Sequence, residues 1–84
     1  MSAVMDSNTR TIYIPLLDEG TPVVRPTQGV LLGGDLYRVL PTPSYNPDDE
    51  HWEFPPGSVV RCVTEKKDGE EIVVARGLAT VTQQ

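Results

Sequence analysis

His51 is the chain's single histidine, and four carboxylates lie near it in sequence: Asp48, Asp49, Glu50 and Glu53. A histidine among carboxylates could hold a hard divalent ion. Loops that wrap such ions turn sharply at a glycine, and none lies between Asp48 and Glu53. The segment therefore reads as a solvated acidic loop with an exposed histidine. A metal-dependent enzyme or sensor centred on His51 ranks last among three functional readings. Cys62 is the only cysteine, so zinc-ligand spacings are absent. Arg61, its cationic neighbour, falls on the opposite face of a strand, which leaves Cys62 as a small buried hydrophobe. Leu32-Gly33-Gly34-Asp35 lacks the lysine and following helix of a phosphate cradle and reads as a turn. Nothing pairs a nucleophile with a base. The expectation is no enzyme, no cofactor and no metal.

The aromatic residues Tyr13, Tyr37, Tyr45, Trp52 and Phe54 are few, and Tyr45 and Trp52 flank the acidic loop. Rings at the rim of a small barrel can cage a methylated cation, with about 0.5–2 kcal/mol from each cation–π contact. The simpler assignment has Trp52 and Phe54 plugging the barrel end and Tyr37 packing on the sheet, because a thin core needs its rings.

The elements that must position these residues are short. Eight prolines and seven glycines leave little room for helix, and the intervals between them are rich in β-branched residues. Residues 1–10 read as a flexible arm, 11–77 as one β domain and 78–84 as a tail. Thr11 to Leu17 forms the first strand, with Ile12, Ile14 and Leu16 on one face. Pro15 marks an edge or a bulge. Asp18-Glu19-Gly20 makes a tight turn, with Gly20 at positive φ. Pro22 to Pro26 is an edge piece or a strand broken by a bend. Val30-Leu31-Leu32 returns through Gly33-Gly34, which sets Leu31 opposite Leu36 and Val30 opposite Tyr37. Residues 41–50 form a loop, and Pro55-Pro56-Gly57 a type II turn. The strongest hairpin signal is Asp68-Gly69 between Ser58–Glu65 and Glu70–Arg76. It pairs Lys67 with Glu70, Lys66 with Glu71, Val63 with Val74 and Cys62 with Ala75. The fold class is all-β: a small five- or six-stranded antiparallel barrel, SH3-like or half-open. Both faces of the last hairpin are partly apolar, an excess that a partner, or a second copy in a homodimer, would cover.

The chain has 84 residues and a net charge of −5, from twelve acidic and seven basic residues. That balance disfavours nucleic acid and anionic membrane surfaces, both of which are bound through Lys and Arg. No apolar run approaches the ~20 residues of a membrane helix. A lone thiol without an export signal points to the cytoplasm.

Three strings carry a resemblance: Leu16-Leu17-Asp18-Glu19-Gly20-Thr21 with Arg25-Pro26; Tyr37-Arg38; and Trp52-Glu53-Phe54-Pro55-Pro56-Gly57-Ser58-Val59-Val60-Arg61-Cys62. Together they resemble an uncharacterised family of short bacterial proteins with an LLDEGTxVxRP opening, a YR strand and a WEFPPGSVVRC segment. The resemblance spans residues 13 to 75 and implies a bacterial, intracellular, single-domain protein. That family usually carries tryptophan where this chain has Val24. If the position forms a recognition surface, this chain's version is weaker. Among the motif charges, one or more of Arg25, Arg38 and Arg61 is expected to pair with Asp18 or Glu19 across neighbouring strands and so pin the register. Tyr37, Phe54 and Cys62 complete the structural set.

The leading functional expectation is a non-catalytic protein-interaction module, using a sheet edge or the Trp52 region, with Tyr45, Asp48, Asp49, Glu50 and Trp52 as candidate partner-binding residues. The alternative is a small acidic inhibitor or immunity-type protein that blocks a basic enzyme surface.

Overall fold

A computed structural model describes residues 8–79. The fold is all-β. Six strands follow one another along the chain: β1 (Thr9–Leu17), β2 (Val24–Gly33), β3 (Leu36–Val39), β4 (His51–Trp52), β5 (Val59–Lys67) and β6 (Glu70–Leu78). Hydrogen bonding runs β1-β2-β3-β5-β6 and returns to β1, closing a barrel-like ring, and β4 continues beyond it on the end of β1.

The sheet is mixed and not wholly antiparallel. Four of the ring's junctions are antiparallel, but β1 and β6 meet in parallel, at Tyr13 and Val74. Strand parity requires this. If direction reverses at each step around five strands, the fifth runs the same way as the first. The closing junction is then parallel, the weaker geometry, and here it is one residue pair long.

The core lies inside the ring. Ile12, Ile14, Tyr37, Val39, Trp52, Phe54, Val60, Cys62 and Ala75 form one buried cluster, with Leu16, Tyr45 and Val73 packed against it. Period-two alternation accounts for most of it: Ile12, Ile14 and Leu16 face inward from β1, while Trp52 and Phe54 turn in and His51 and Glu53 turn out. Thr27, the buried polar residue, is satisfied by donating its hydroxyl to the Leu40 carbonyl at 2.6 Å.

The prolines break no ladder. The Leu16 amide donates to the Val23 carbonyl at 2.9 Å, which marks that pair as hydrogen-bonded. Alternation along the register then makes Pro15↔Val24 and Tyr13↔Pro26 non-hydrogen-bonded pairs, whose amides point away from the β1–β2 ladder. Pro15 is accordingly not on a free edge: β1 is paired on both sides, and Pro15 lies where its second partner changes from β6 to β4. Likewise Val24 to Pro26, the second part of the Pro22–Pro26 piece, and the Val30 run belong to one strand, β2.

The turns follow local chemistry unevenly. At the β5–β6 hairpin Asp68 (φ 54°) and Gly69 (φ 84°) take the two left-handed positions of a primed turn, and all four expected cross-strand pairs form. Beyond them the register shifts between Arg61 and Cys62, so β6 bulges at Arg76. Ser58 donates to the Pro55 carbonyl at 3.0 Å with Gly57 at φ 95°, as the type II turn requires. The β2–β3 turn is displaced by one residue. It occupies Gly34-Asp35, Gly33 pairs with Leu36, and a bulge at Leu32 puts Leu31 opposite Tyr37 and Val30 opposite Arg38. The bulge keeps Tyr37 inward, which the two-residue Gly33-Gly34 loop would not require. Between β1 and β2 the positive φ belongs to Asp18 (64°), not Gly20, and the connection runs on to Val23. At the chain ends, Thr9 and Arg10 pair with Val30 and Gly29 instead of belonging to an arm, and Leu78 ends β6. The rest of the arm, residues 1–7, and tail residues 80–84 lie outside the described residues. Among the described residues no helix is long and apolar enough to cross a membrane.

Candidate partner-binding surface

The acidic loop folds back on the barrel and satisfies itself. Trp52 is 5% exposed, and its indole N–H donates to Glu50 Oε1 at 3.0 Å. The other oxygen, Oε2, accepts from Arg25 Nη2. These two bonds, the indole's first, hold the Glu50 carboxyl below the usual carboxylate range. Tyr45 packs edge-on against Trp52 with ring centroids 4.7 Å apart. Asn46 accepts from the Asp48 amide at 2.9 Å and shapes the turn that carries Asp48 and Asp49 to the surface. The five residues Tyr45, Asp48, Asp49, Glu50 and Trp52 do lie together, but the tryptophan presents no open ring face. A cage built on Trp52 has no room for a cation.

His51 faces away from that loop. Its Nδ1 lies 2.6 Å from Asp18 Oδ2, which clips the end of β1 to β4. Among the described residues no three of His, Cys, Asp or Glu converge as metal ligands would. The motif arginines pair differently from expectation. Arg25 bonds Glu50, Arg61 Nη1 reaches Asp35 at 3.2 Å, and Asp18 is taken by His51. The reason is distance around the ring. Arg61, on β5, is separated from the β1–β2 connection by a neighbour on either side, whereas Asp35 sits at the adjacent β2–β3 turn. Arg38 and Glu19 form no ion pair among the described residues. Cys62 is buried opposite Ala75. Burial, reinforced by the negative charge of Asp35, pushes its thiol up to about 11.

A hollow of about 370 Å³ opens beside the acidic loop, lined by Arg25, Thr42, Ser44, Asn46, Asp49 and Glu50, and a second, apolar-floored groove lies on the outside of the barrel. β6 turns Val73 and Ala75 into the core, so its outer face carries Ile72, Val74 and Arg76. Val74 is 1% exposed, yet it stands outside the core cluster. It pairs with Val63 of β5 and Tyr13 of β1 and lines a groove with residues at both ends of the β1–β2 connection. Pro15, Pro22, Val23 and Val24 form one wall of a groove, Ile72 and Val74 its floor, and the β5 residues Glu65, Lys66 and Lys67 with Arg76 the other wall. The groove is open to solvent on one side and has a volume of about 250 Å³. Register puts Val63 and Val74 side by side on this face, and Val63 is 41% exposed.

Charge in the wall is divided. Arg76 forks onto Glu65, with Nε to Oε2 at 2.5 Å and Nη2 to Oε1 at 2.7 Å. That pairing holds the Glu65 carboxyl low and the Arg76 guanidinium high. Lys66 and Lys67 stand opposite Glu71 and Glu70 in the ladder but form no ion pair among the described residues. Sequence reasoning noted the two-sided apolarity of this hairpin and did not locate the groove. The missing signal was that Pro22-Val23-Val24 folds onto a strand some fifty residues away in the chain. Compared with protein-family models, curated proteins and solved structures, the chain matches none.

Proposed function

We propose that this protein is a non-catalytic interaction module that docks a protein partner in the outer-face groove between the β1–β2 connection and the β5–β6 hairpin. One observation carries the reading. The groove's apolar walls, from Pro15 to Val24 and across to Ile72 and Val74, are held on the solvent side of a barrel whose core is already filled. Apolar residues placed outside a satisfied core, beside a solvent-exposed Val63, are the composition of a binding patch. The single buried, unbridged Cys62 suits a reducing compartment, and the proposal extends to the cytoplasm.

The test is site-specific photocrosslinking in cells. With p-benzoylphenylalanine at position 24, in the groove wall, irradiation should give a discrete adduct identified by mass spectrometry. The same group at position 49, in the acidic loop, should give none. An adduct from position 49 alone, or none from either site, overturns the assignment.

A further inference from the structure

We propose that residues 41–50 form a flap, latched by the Glu50 carboxylate, that swings off the end of the barrel and uncovers Trp52 while the ring of strands stays folded. The flap lies apart from the outer-face groove and does not depend on it.

Three observations point there. The first is how the loop is fastened. Before it, the Leu40 amide donates to the Gln28 carbonyl at 3.0 Å, and the Thr27 hydroxyl donates to the Leu40 carbonyl at 2.6 Å. After it, β4 pairs with β1, and the Glu53 amide donates to the Pro15 carbonyl at 2.9 Å. Between these anchors the backbone bonds close on the loop itself, from Tyr45 to Thr42 and from Asp49 and Glu50 to Asn46. Among the described residues, Glu50 is the one member of 41–50 whose side chain hydrogen-bonds outside the loop, accepting from the Trp52 indole and from Arg25. The second observation is packing. No residue from 41 to 50 is buried, and five of them rim the hollow beside Arg25 instead of filling it. Tyr45 is the loop residue that packs on the core. A segment with few buried contacts and self-contained bonds opens locally at lower free energy than the whole domain. The third is what the latch guards. Trp52 is 5% exposed, with Glu50 at its indole N–H and Tyr45 edge-on to its ring. Lifting the loop removes both neighbours and leaves the ring held by the pairing of Trp52 with Leu16.

The latch responds to acid. Arg25 of β2 is the cation that meets Glu50, and Asp48 and Asp49 are the other carboxylates of its loop. Asp18, just past β1, and His51 of β4 are bonded to each other. Opening breaks the two bonds that hold the Glu50 carboxyl low. The closed form therefore has its full advantage above the ordinary value near 4.5 and loses it as pH falls through the lowered one.

Trp52 is the chain's single tryptophan, so its indole N–H gives one resonance to follow. The experiment is native-state hydrogen exchange of the ¹⁵N-labelled full chain in low urea. The reference is the Cys62 amide, which donates to the Asp35 carbonyl at 2.9 Å. The indole should exchange through an opening that barely depends on urea, and the Cys62 amide with the full slope of global unfolding. Glu50→Ala should speed indole exchange without urea by at least about tenfold. Between pH 6 and pH 4 the indole's opening constant, after correction for intrinsic exchange, should rise about threefold in the parent and stay level in Glu50→Gln. An indole that exchanges with the global urea slope would overturn the inference, and this is read on the unaltered chain whether or not the variants fold. So would an unchanged rate in Glu50→Ala, or a pH response that persists in Glu50→Gln.

Discussion

Gly29→Ala is the perturbation whose outcome the packing specifies most closely. Gly29 sits in β2 between two partners, paired with Arg10 of β1 and Val39 of β3. A Cβ placed on it would come 2.7 Å from Ile12 Cδ1, 3.2 Å from Ile12 Cγ1 and 3.3 Å from Tyr37 Cβ. Ile12 is fully buried and Tyr37 is 5% exposed, so neither has free space to retreat into. The tyrosine Cβ moves only with the β3 backbone. Overpacking of this kind costs about 1–3 kcal/mol. The substitution also stiffens the unfolded chain, which offsets about 0.4–1 kcal/mol. The net expectation is a loss of roughly 0.5–2 kcal/mol, and for a domain of this size roughly 4–8 °C of Tm per kcal/mol.

The identity of the clashing atom can be tested separately. Ile12→Val removes Cδ1 and by itself costs about 0.5–1.5 kcal/mol. In the Gly29→Ala background that deletion relieves the closest contact, so the double variant should be more stable than the summed single costs allow, by at least about 0.5 kcal/mol. Urea titrations followed by Trp52 fluorescence, at unchanged m-value, supply all four corners of the cycle. A Gly29→Ala protein as stable as the parent, or costs that simply add, would refute the argument that Ile12 and Tyr37 close over this glycine.

Three further outcomes follow from the acidic loop and the core. Because the folded-state pKa of Glu50 is depressed, its contribution is present above the unfolded value near 4.5 and is lost as pH falls through the folded value. Glu50→Gln should therefore flatten the acid limb of stability below about pH 4.5. Glu50→Ala should cost about 1–3 kcal/mol at neutral pH by leaving the buried indole N–H unpaired, as measured by urea denaturation at a series of pH values. For Cys62, whose thiol is pushed up to about 11 in the folded protein, Ellman's reagent at pH 8 should not react until denaturant unfolds the chain. A full thiol equivalent released without denaturant would mean that Cys62 is not in the core.

What could be read from the residues was local. Asp68-Gly69 set the register of its hairpin because a two-residue primed turn leaves one pairing available, and Val63↔Val74 and Cys62↔Ala75 follow from counting outward. Pro55-Pro56-Gly57 needed only its own φ preferences, and the inward Trp52 and Phe54 only the period of a strand. Gly33-Gly34 misled by one position because two neighbouring glycines allow more than one turn. Keeping Tyr37 in the core selected the bulged form.

Tertiary structure decided everything that joins distant segments. The parallel contact of Tyr13 with Val74 exists because five strands close into a ring, a parity no single strand encodes. The partners of Arg25, Arg61 and Asp18 were set by which loops the ring brings together, since charge names no partner until geometry does. The groove arises the same way. Val24 and Val74 lie fifty residues apart in sequence, and only the tertiary fold brings them to line one groove.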